Sequence, residues 1–310
     1  MVPIPAPEPA EGQIRVRPAI GCLCGSDLPY FFGDSGNPMV RGRKPPLDPG
    51  LSLHELTGVV DASRCAQLRE GDRVLALPYE QHGLAEAFLS EPAMAVRLPD
   101  DFPGDHLVLA QPLGTIFHAV NKFGRLINQN VAVVGQGPIG LLFTALLTRL
   151  GVRRLIALEL LPERLEVAQR MGATHVVNPA ETDPVAAALA LTEGSGADLV
   201  VEAVGEPATL ILGIDLLRRG GTLLAFGVPH QARYDLPFDK LFFKEGKIVT
   251  SVGPNVAVDF PIAVDMIAQG RLDVTPLITH RLPFHRAQEA FEIFAGRREG
   301  AIKVLLEFGR

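Results

Sequence analysis

Three glycines at the spacing Gly135-x-Gly137-x-x-Gly140 separate the small apolar run Val131-Ala-Val-Val134 from a second apolar stretch, residues 139–150. The first run reads as a buried parallel strand and the second as a helix, so that strand, tight turn and helix start coincide. That arrangement suits a pyrophosphate. Gly135 lets the backbone turn, Gly137 lets phosphate approach the main chain, and Gly140 lets the helix sit close to the sheet, with Pro138 and Ile139 opening the helix beside the phosphates. Residues 153–159 read as a second strand ending in an acid, Glu159, placed to accept hydrogen bonds from a ribose diol. Its charge repels the extra phosphate of NADP, so the expected coenzyme is NAD. Arg164 either lies over the adenosine or pairs with Glu163 or solvent on a helix face. Glycines at this spacing also mark ordinary turns; the flanking strand and helix, and an acid 24 residues beyond Gly135, favour the dinucleotide reading.

A second group of residues has the types needed to hold a metal. Zinc accepts a soft thiolate and an imidazole together, and a carboxylate can complete a charged but open shell, which points to Cys24, His54 and Glu55. An open position would take a substrate oxygen and polarise it, so that a carbon-bound hydrogen could leave as hydride to a nicotinamide. Each residue also has a plainer reading. Cys24 could be a small packed side chain, His54 a core or cap histidine, and Glu55 a solvent-facing acid. Ser26 and Asp27 either cap a helical turn or take part in catalysis, Ser26 receiving the substrate hydroxyl proton and Asp27 accepting the free ring N–H of His54. Cys22 and Cys24 stand two residues apart on a strand, too far for a tight chelate, so one ligand and one packed residue are expected. Cys65 lies in a polar turn without a metal partner. Tyr30 and Phe31 line a pocket or pack. His82 and His118 read as structural or surface residues.

The elements that would carry these groups change character along the chain. Four prolines within the first ten residues exclude a regular helix there. Residues 13–17 alternate like a half-buried strand leading into residues 19–24, residues 36–53 read as a loop, and short strands are expected near residues 54–60, 71–78 and 85–96. Many short strands separated by turns indicate a mainly β, barrel-like unit. From about Phe117 strands and helices alternate: strands at 155–158, 175–178, 199–203, 222–226 and 248–252, helices at 162–171, 184–191 and 210–217. Such alternation marks a doubly wound parallel sheet covered on both faces. Helices at 260–267 and 288–294 and an alternating strand at 301–308 close the chain. The expected division is residues 1–117 with 257–310 as a catalytic domain, and 118–256 as an inserted coenzyme domain. At 310 residues and 47% hydrophobic, the chain is long enough for both.

A net charge of -6 gives no bulk attraction to nucleic acid or anionic membrane. Three cysteines form no disulfide framework, and neither a secretory leader nor an apolar span of membrane length is found, so the cytoplasm is the expected compartment.

Gly21-Cys-Leu-Cys-Gly-Ser-Asp27, Leu53-His-Glu55, Gly71-Asp-Arg-Val74, the glycine turn, Glu159, the run from Gly196 to Gly205, Arg219-Gly-Gly221 and Pro276-Leu-Ile-Thr-His280 occur in the order in which the chain resembles the medium-chain zinc alcohol and polyol dehydrogenases. The likeness runs from about Gly12 to Phe308. It implies a GroES-like, mainly β catalytic domain, a Rossmann coenzyme domain, one catalytic zinc, and NAD(P)-linked alcohol oxidation or carbonyl reduction. By that pattern Cys24 is the zinc thiolate, His54 the imidazole ligand, Glu55 its neighbouring carboxylate, Ser26 the proton-passing hydroxyl and Asp27 the acid that orients the histidine. Gln111 stands where polyol-type members often carry glutamate and alcohol-type members cysteine, which makes it a further candidate for metal or substrate contact, or a helix-cap residue. By fold analogy the nicotinamide meets backbone near Val204, Gly227 and Ser251.

The chain departs from the pattern at several places. Glutamine is a poor zinc ligand, Leu53 replaces a glycine, Pro29 stands where many relatives have a relay histidine, and the first strands are missing or truncated before Gly12. Pro78-Tyr-Glu-Gln-His-Gly83 occupies the place of the cysteine-rich lobe, so no structural zinc is expected. The leading expectation is an enzyme acting on a small alcohol or carbonyl substrate, assembled as a homodimer or homotetramer. The alternatives are a zinc-free reductase of the same superfamily, with Ser26 or Tyr30 near the carbonyl, and an NAD-binding homologue with weak turnover.

Overall fold

The computed structural model describes residues 2–34, 37–40, 47–100 and 104–309; residue 36 and residues 41–46 of the expected loop lie outside these. In chain order the elements are β1 (Ile14–Cys22), α1 (Leu28–Phe32), β2 (Glu55–Ser63), β3 (Arg73–Ala76), β4 (Phe88–Ser90), β5 (Ala95–Arg97), α2 (Gly104–Leu107) and α3 (Ala110–Val120). Then follow β6 (Asn130–Val134), α4 (Pro138–Arg149), β7 (Arg154–Leu158), α5 (Pro162–Arg170), β8 (His175–Val177), α6 (Pro184–Leu191), β9 (Ala197–Glu202), α7 (Pro207–Leu216), β10 (Leu217–Ala225), α8 (Phe238–Phe243) and β11 (Lys247–Thr250). The chain ends with α9 (Val256–Ala268), β12 (Ile278–Pro283), α10 (Ala287–Ala295) and β13 (Lys303–Glu307). Two compact units result: residues 1–117 with 254–310, and residues 118–253.

The first unit is a seven-stranded mixed sheet in the order β12-β13-β1-β2-β3-β5, with β4 paired to β1. Among the described residues only β12 and β13 run parallel; the remaining pairs are antiparallel. Alternation sends Ile14 and Val16 of β1, Leu56 and Val60 of β2 and Val304 and Leu306 of β13 into one core with Phe291 and Phe294 of α10. β1 lies inside the sheet, paired to β2, β4 and β13. Cys22 at its end pairs with Glu55 on one side and Leu305 on the other.

The second unit is a six-stranded sheet in the order β11-β10-β9-β6-β7-β8, parallel throughout. All five residues of β6 are buried, as a strand covered on both faces requires. Order reverses beside β6, which is flanked by β7 on one side and β9 on the other, and the crevice at such a switch point is where open α/β sheets bind ligands. The expected doubly wound sheet and the mainly β unit are both present.

Several elements escaped the sequence reading, each short or locally ambiguous: α1, α8 and β12 are five or six residues long, and α3 lies in an apolar stretch with a proline near its start. Among the described residues no helix is long and apolar enough to cross a membrane.

Candidate functional site

Cys24 follows β1 and caps a 3-10 turn, Gly25–Asp27, that turns the chain into α1. Its amide donates to Asp27 Oδ2 at 2.9 Å, and the Asp27 amide donates back to the Cys24 carbonyl at 3.0 Å. Asp27 is fully buried. Its second oxygen, Oδ1, accepts from Ser52 Oγ at 3.0 Å and faces Nδ1 of His54 at 3.2 Å. A single carboxylate therefore fixes both the thiol-bearing turn and the imidazole ring. With Nδ1–H directed at a carboxylate, Nε2 carries the lone pair a metal would use. Ser26 Oγ lies 3.5 Å from that same Nε2, at the outer limit of hydrogen bonding.

Glu55 is the first residue of β2 and is fully buried. The ligand atoms of Cys24, His54 and Glu55 all lie within 4.8 Å of one another. Thiolate, imidazole and carboxylate form a donor set suited to zinc, and the Asp27–His54 hydrogen bond is the outer contact that metal-ligating histidines almost always make. Burial works against an imidazolium at His54, but its electrostatic and hydrogen-bond interactions with Asp27 and Cys24 outweigh it and hold the pKa well above that of a free histidine. The cluster attracts positive charge.

Cys22 is not in this cluster. It is buried in β1, and burial pushes its thiol pKa up, so it packs as a neutral thiol. Cys65 rests against the Leu68 carbonyl at 3.5 Å. Tyr30 is buried with its hydroxyl on the Met39 carbonyl at 2.8 Å, and Phe31 stacks on Phe291, so both pack. Gln111 has a buried place in α3.

In the second unit the glycine turn has the geometry a dinucleotide needs. Gly135 adopts φ +85°, a left-handed conformation that side chains rarely take. A Cβ on Gly140 would stand 1.8 Å from the Gly135 carbonyl oxygen, so only glycine lets α4 close onto the turn. At Gly137 the space beside the backbone is open, the nearest atom being the Arg164 guanidinium at 3.9 Å from where a Cβ would sit. Pro138 and Ile139 begin α4. Glu159, following β7, accepts from the amides of Gln136, Leu160 and Leu161 at 2.9, 2.8 and 3.3 Å. Arg164 is buried with its guanidinium 3.9 Å from Glu159. Val204, Gly227 and Ser251 follow β9, β10 and β11, at the carboxyl ends of neighbouring strands.

Three supporting residues were missed by the sequence reading. Gln136 is fully buried, its amide group tying the Val133 carbonyl to Thr144 of α4. Glu202, buried at the end of β9, accepts from the amides of Val204 and Gly205 at 2.8 Å each and holds the next turn. Lys303 is fully buried in β13 and contacts Glu55 at 2.7 and 2.6 Å. The signal for the last two was available: each is a charge within or ending an apolar strand, and a buried charge needs a partner.

A family model described as zinc-binding dehydrogenase matches residues 138–269. The chain is 31% identical to a probable D-xylulose reductase A of Neosartorya fischeri, across 92% of this chain and 86% of that protein. It is 27% identical to a sorbitol dehydrogenase of Bacillus subtilis (strain 168), across 98% and 92%. Among solved structures, an alcohol dehydrogenase from Thermus sp. ATN1 superimposes with a TM-score of 0.87 at 27% identity, covering 99% of this chain and 95% of that one.

Proposed function

The chain belongs to the zinc-binding, medium-chain alcohol and polyol dehydrogenase family, and we propose that it oxidises a secondary alcohol or polyol by zinc-assisted hydride transfer to NAD, or reduces the matching carbonyl. It is an NAD-linked oxidoreductase. The observation that carries the finer reading is the convergence of Cys24, His54 and Glu55 around a histidine already oriented by Asp27. When bound, zinc supplies Lewis-acid polarisation of the substrate oxygen and NAD accepts the hydride.

The chain's own residues do the rest. Asp27 fixes the tautomer and direction of His54, keeping Nε2 turned to the metal position. Ser26, whose hydroxyl lies close to that nitrogen, is placed to take the proton of a substrate hydroxyl in the same cluster. Gln111 is a further candidate contact for metal or substrate. The glycine turn and α4 hold the pyrophosphate, Glu159 and Arg164 the adenosine end, and backbone at Val204, Gly227 and Ser251 the nicotinamide. Purified protein supplied with zinc and NAD should produce NADH from one or more members of a panel of small alcohols and polyols, and chelation should abolish that signal. A protein fully active after exhaustive chelation, with no zinc present, sinks this reading in favour of a zinc-free reductase.

Coenzyme choice offers a separate test. In Glu159→Ser the amides of Gln136, Leu160 and Leu161 lose their acceptor while Arg164 stays beside them, so an anion-repelling corner becomes an anion-accepting one. Like-charge contacts cost several kcal/mol, so the NAD-to-NADP ratio of kcat/KM should fall by about 10²-fold. An unchanged ratio removes Glu159 from the coenzyme site.

We also read the chain as a homodimer or homotetramer. In support, β11 is an edge strand, and Phe238, Phe242 and Phe243 of the preceding α8 are 70%, 65% and 77% exposed. Open sheet edges and clustered exposed aromatics are features that proteins usually cover. Replacing Phe242 and Phe243 together with aspartate should lower the mass measured by light scattering toward that of one chain; an unchanged assembly, or a monomeric parent, contradicts the assignment.

A further inference from the structure

Residues 226–237 join β10 to α8 with no regular structure, and connections of that length more often serve a function than merely span a gap. From 229 to 235 every residue is exposed except Tyr234, whose ring packs on the core of this unit. Its hydroxyl is fully used. It donates to the Gly205 carbonyl at 2.8 Å and accepts from the amides of His230 and Gln231 at 2.8 and 3.4 Å. His230 adds a second tie, its Nδ1 lying 2.6 Å from Oε1 of Glu206.

One phenol therefore fastens the loop after β10 to the turn after β9. The two segments meet backbone to backbone: a Cβ on Gly205 would stand 2.1 Å from the Val228 carbonyl oxygen, and one on Gly227 would stand 2.1 Å from the Gly205 nitrogen. No side chain separates them. Gly205 is gripped from both sides, since buried Glu202 accepts from its amide at 2.8 Å while Tyr234 holds its carbonyl. Without the hydroxyl, the exposed amides of the loop would turn to water, and the spacing of the two turns would rest on the exposed His230–Glu206 pair and on contact alone.

We propose that Tyr234 is a positioning residue for the nicotinamide half of the coenzyme: its hydroxyl clamps the loop to the turn and so fixes the backbone at Val204 and Gly227. The inference rests on the reading given above, in which the nicotinamide meets backbone at those two residues. The clamp acts before the coenzyme arrives. Backbone already held in its binding arrangement loses less freedom when the ligand binds, so the clamp tightens the grip on the nicotinamide and slows its departure. The adenosine end, at Glu159 and Arg164, follows another strand and gains nothing from it.

The test compares NADH with ADP-ribose, which carries the adenosine, both phosphates and the second ribose but no nicotinamide, each titrated into the full chain. In Tyr234→Phe, which keeps the ring and removes only the hydroxyl, the Kd for NADH should rise by about tenfold, the scale of one lost hydrogen bond, and the Kd for ADP-ribose should stay within about twofold of the parent. NADH release followed by stopped flow should quicken in proportion. His230→Ala, at an exposed position, should give the same selective loss at about two- to threefold, and it decides the matter alone if Tyr234→Phe does not fold. Equal weakening of both ligands, as a merely structural role would produce, or no weakening of either, overturns the clamp. A parent protein that binds ADP-ribose as tightly as NADH removes the nicotinamide placement itself, and this inference with it.

Discussion

Replacing Cys24 with alanine is expected to lower kcat for alcohol oxidation by about 10³-fold, because Lewis-acid stabilisation of developing charge is worth several kcal/mol and each factor of ten corresponds to about 1.4 kcal/mol. NADH binding, measured by fluorescence titration, should stay within about twofold of the parent, since the glycine turn and Glu159 lie in the other compact unit. The split between lost turnover and kept coenzyme binding is the informative part. Cys24 sits partly exposed at the start of a 3-10 turn rather than in the core, so its loss leaves little cavity. Asp27→Asn serves as the graded companion. It leaves a side chain of the same shape on the Cys24 amide but weakens the acceptor for His54, and metal affinity should fall by about 10- to 100-fold. Equal kcat in Cys24→Ala and the parent would mean that the thiolate holds no catalytic metal.

Gly140→Val should be the most damaging single change in the second unit. Even the first carbon of the new side chain would stand 1.8 Å from the Gly135 carbonyl oxygen, and that atom belongs to backbone that cannot rotate away. Residues 140–147 of α4 are all buried, so the helix can relieve the overlap only by shifting as a body and opening its packing on the sheet. Overpacking of this kind costs roughly 3 kcal/mol or more, which for a unit of this size lowers the melting temperature by on the order of 10 °C. Coenzyme binding should be lost together with the stability, because the same shift moves the turn that receives the pyrophosphate. A Gly140→Val protein with parent melting temperature and NADH affinity would show that α4 does not close on Gly135 as described.

Much of this molecule was legible in its residues. The parallel sheet announced itself because buried strands carry continuous apolar runs such as Val131-Ala-Val-Val134 and Leu199-Val-Val201, each followed by a helical pattern with proline at its start. The glycine spacing carried its own mechanism, and the close approach at Gly140 is the one expected there. The first unit was harder. Its strands β3, β4 and β5 are three or four residues long, and so short a run distinguishes poorly between strand and turn. Pairings across the whole chain length, such as β1 with β13, leave no local trace at all.

The site divided along the same line. Cys24, Ser26 and Asp27 are neighbours in sequence, and the local turn that gathers them is visible as Cys-Gly-Ser-Asp. His54 and Glu55 could be attached to them through the family pattern. Lys303 could not, because nothing near it in sequence hints at Glu55; only the placement of β1 between β2 and β13 brings the two together. An ammonium inside an apolar strand was nonetheless a physical demand for a buried anion. Gln136 was hidden for a different reason. It lies inside the glycine turn, where the glycines carry the signal, and its side chain points inward and fastens the turn to Thr144.

The most direct measurement is a crystal structure of the protein grown with zinc and NAD, with diffraction recorded on both sides of the zinc absorption edge. The account predicts an anomalous peak about 2.3 Å from Cys24 Sγ and about 2.0 to 2.1 Å from His54 Nε2. Folded, zinc-supplied protein with no anomalous density at Cys24 and His54 would contradict it.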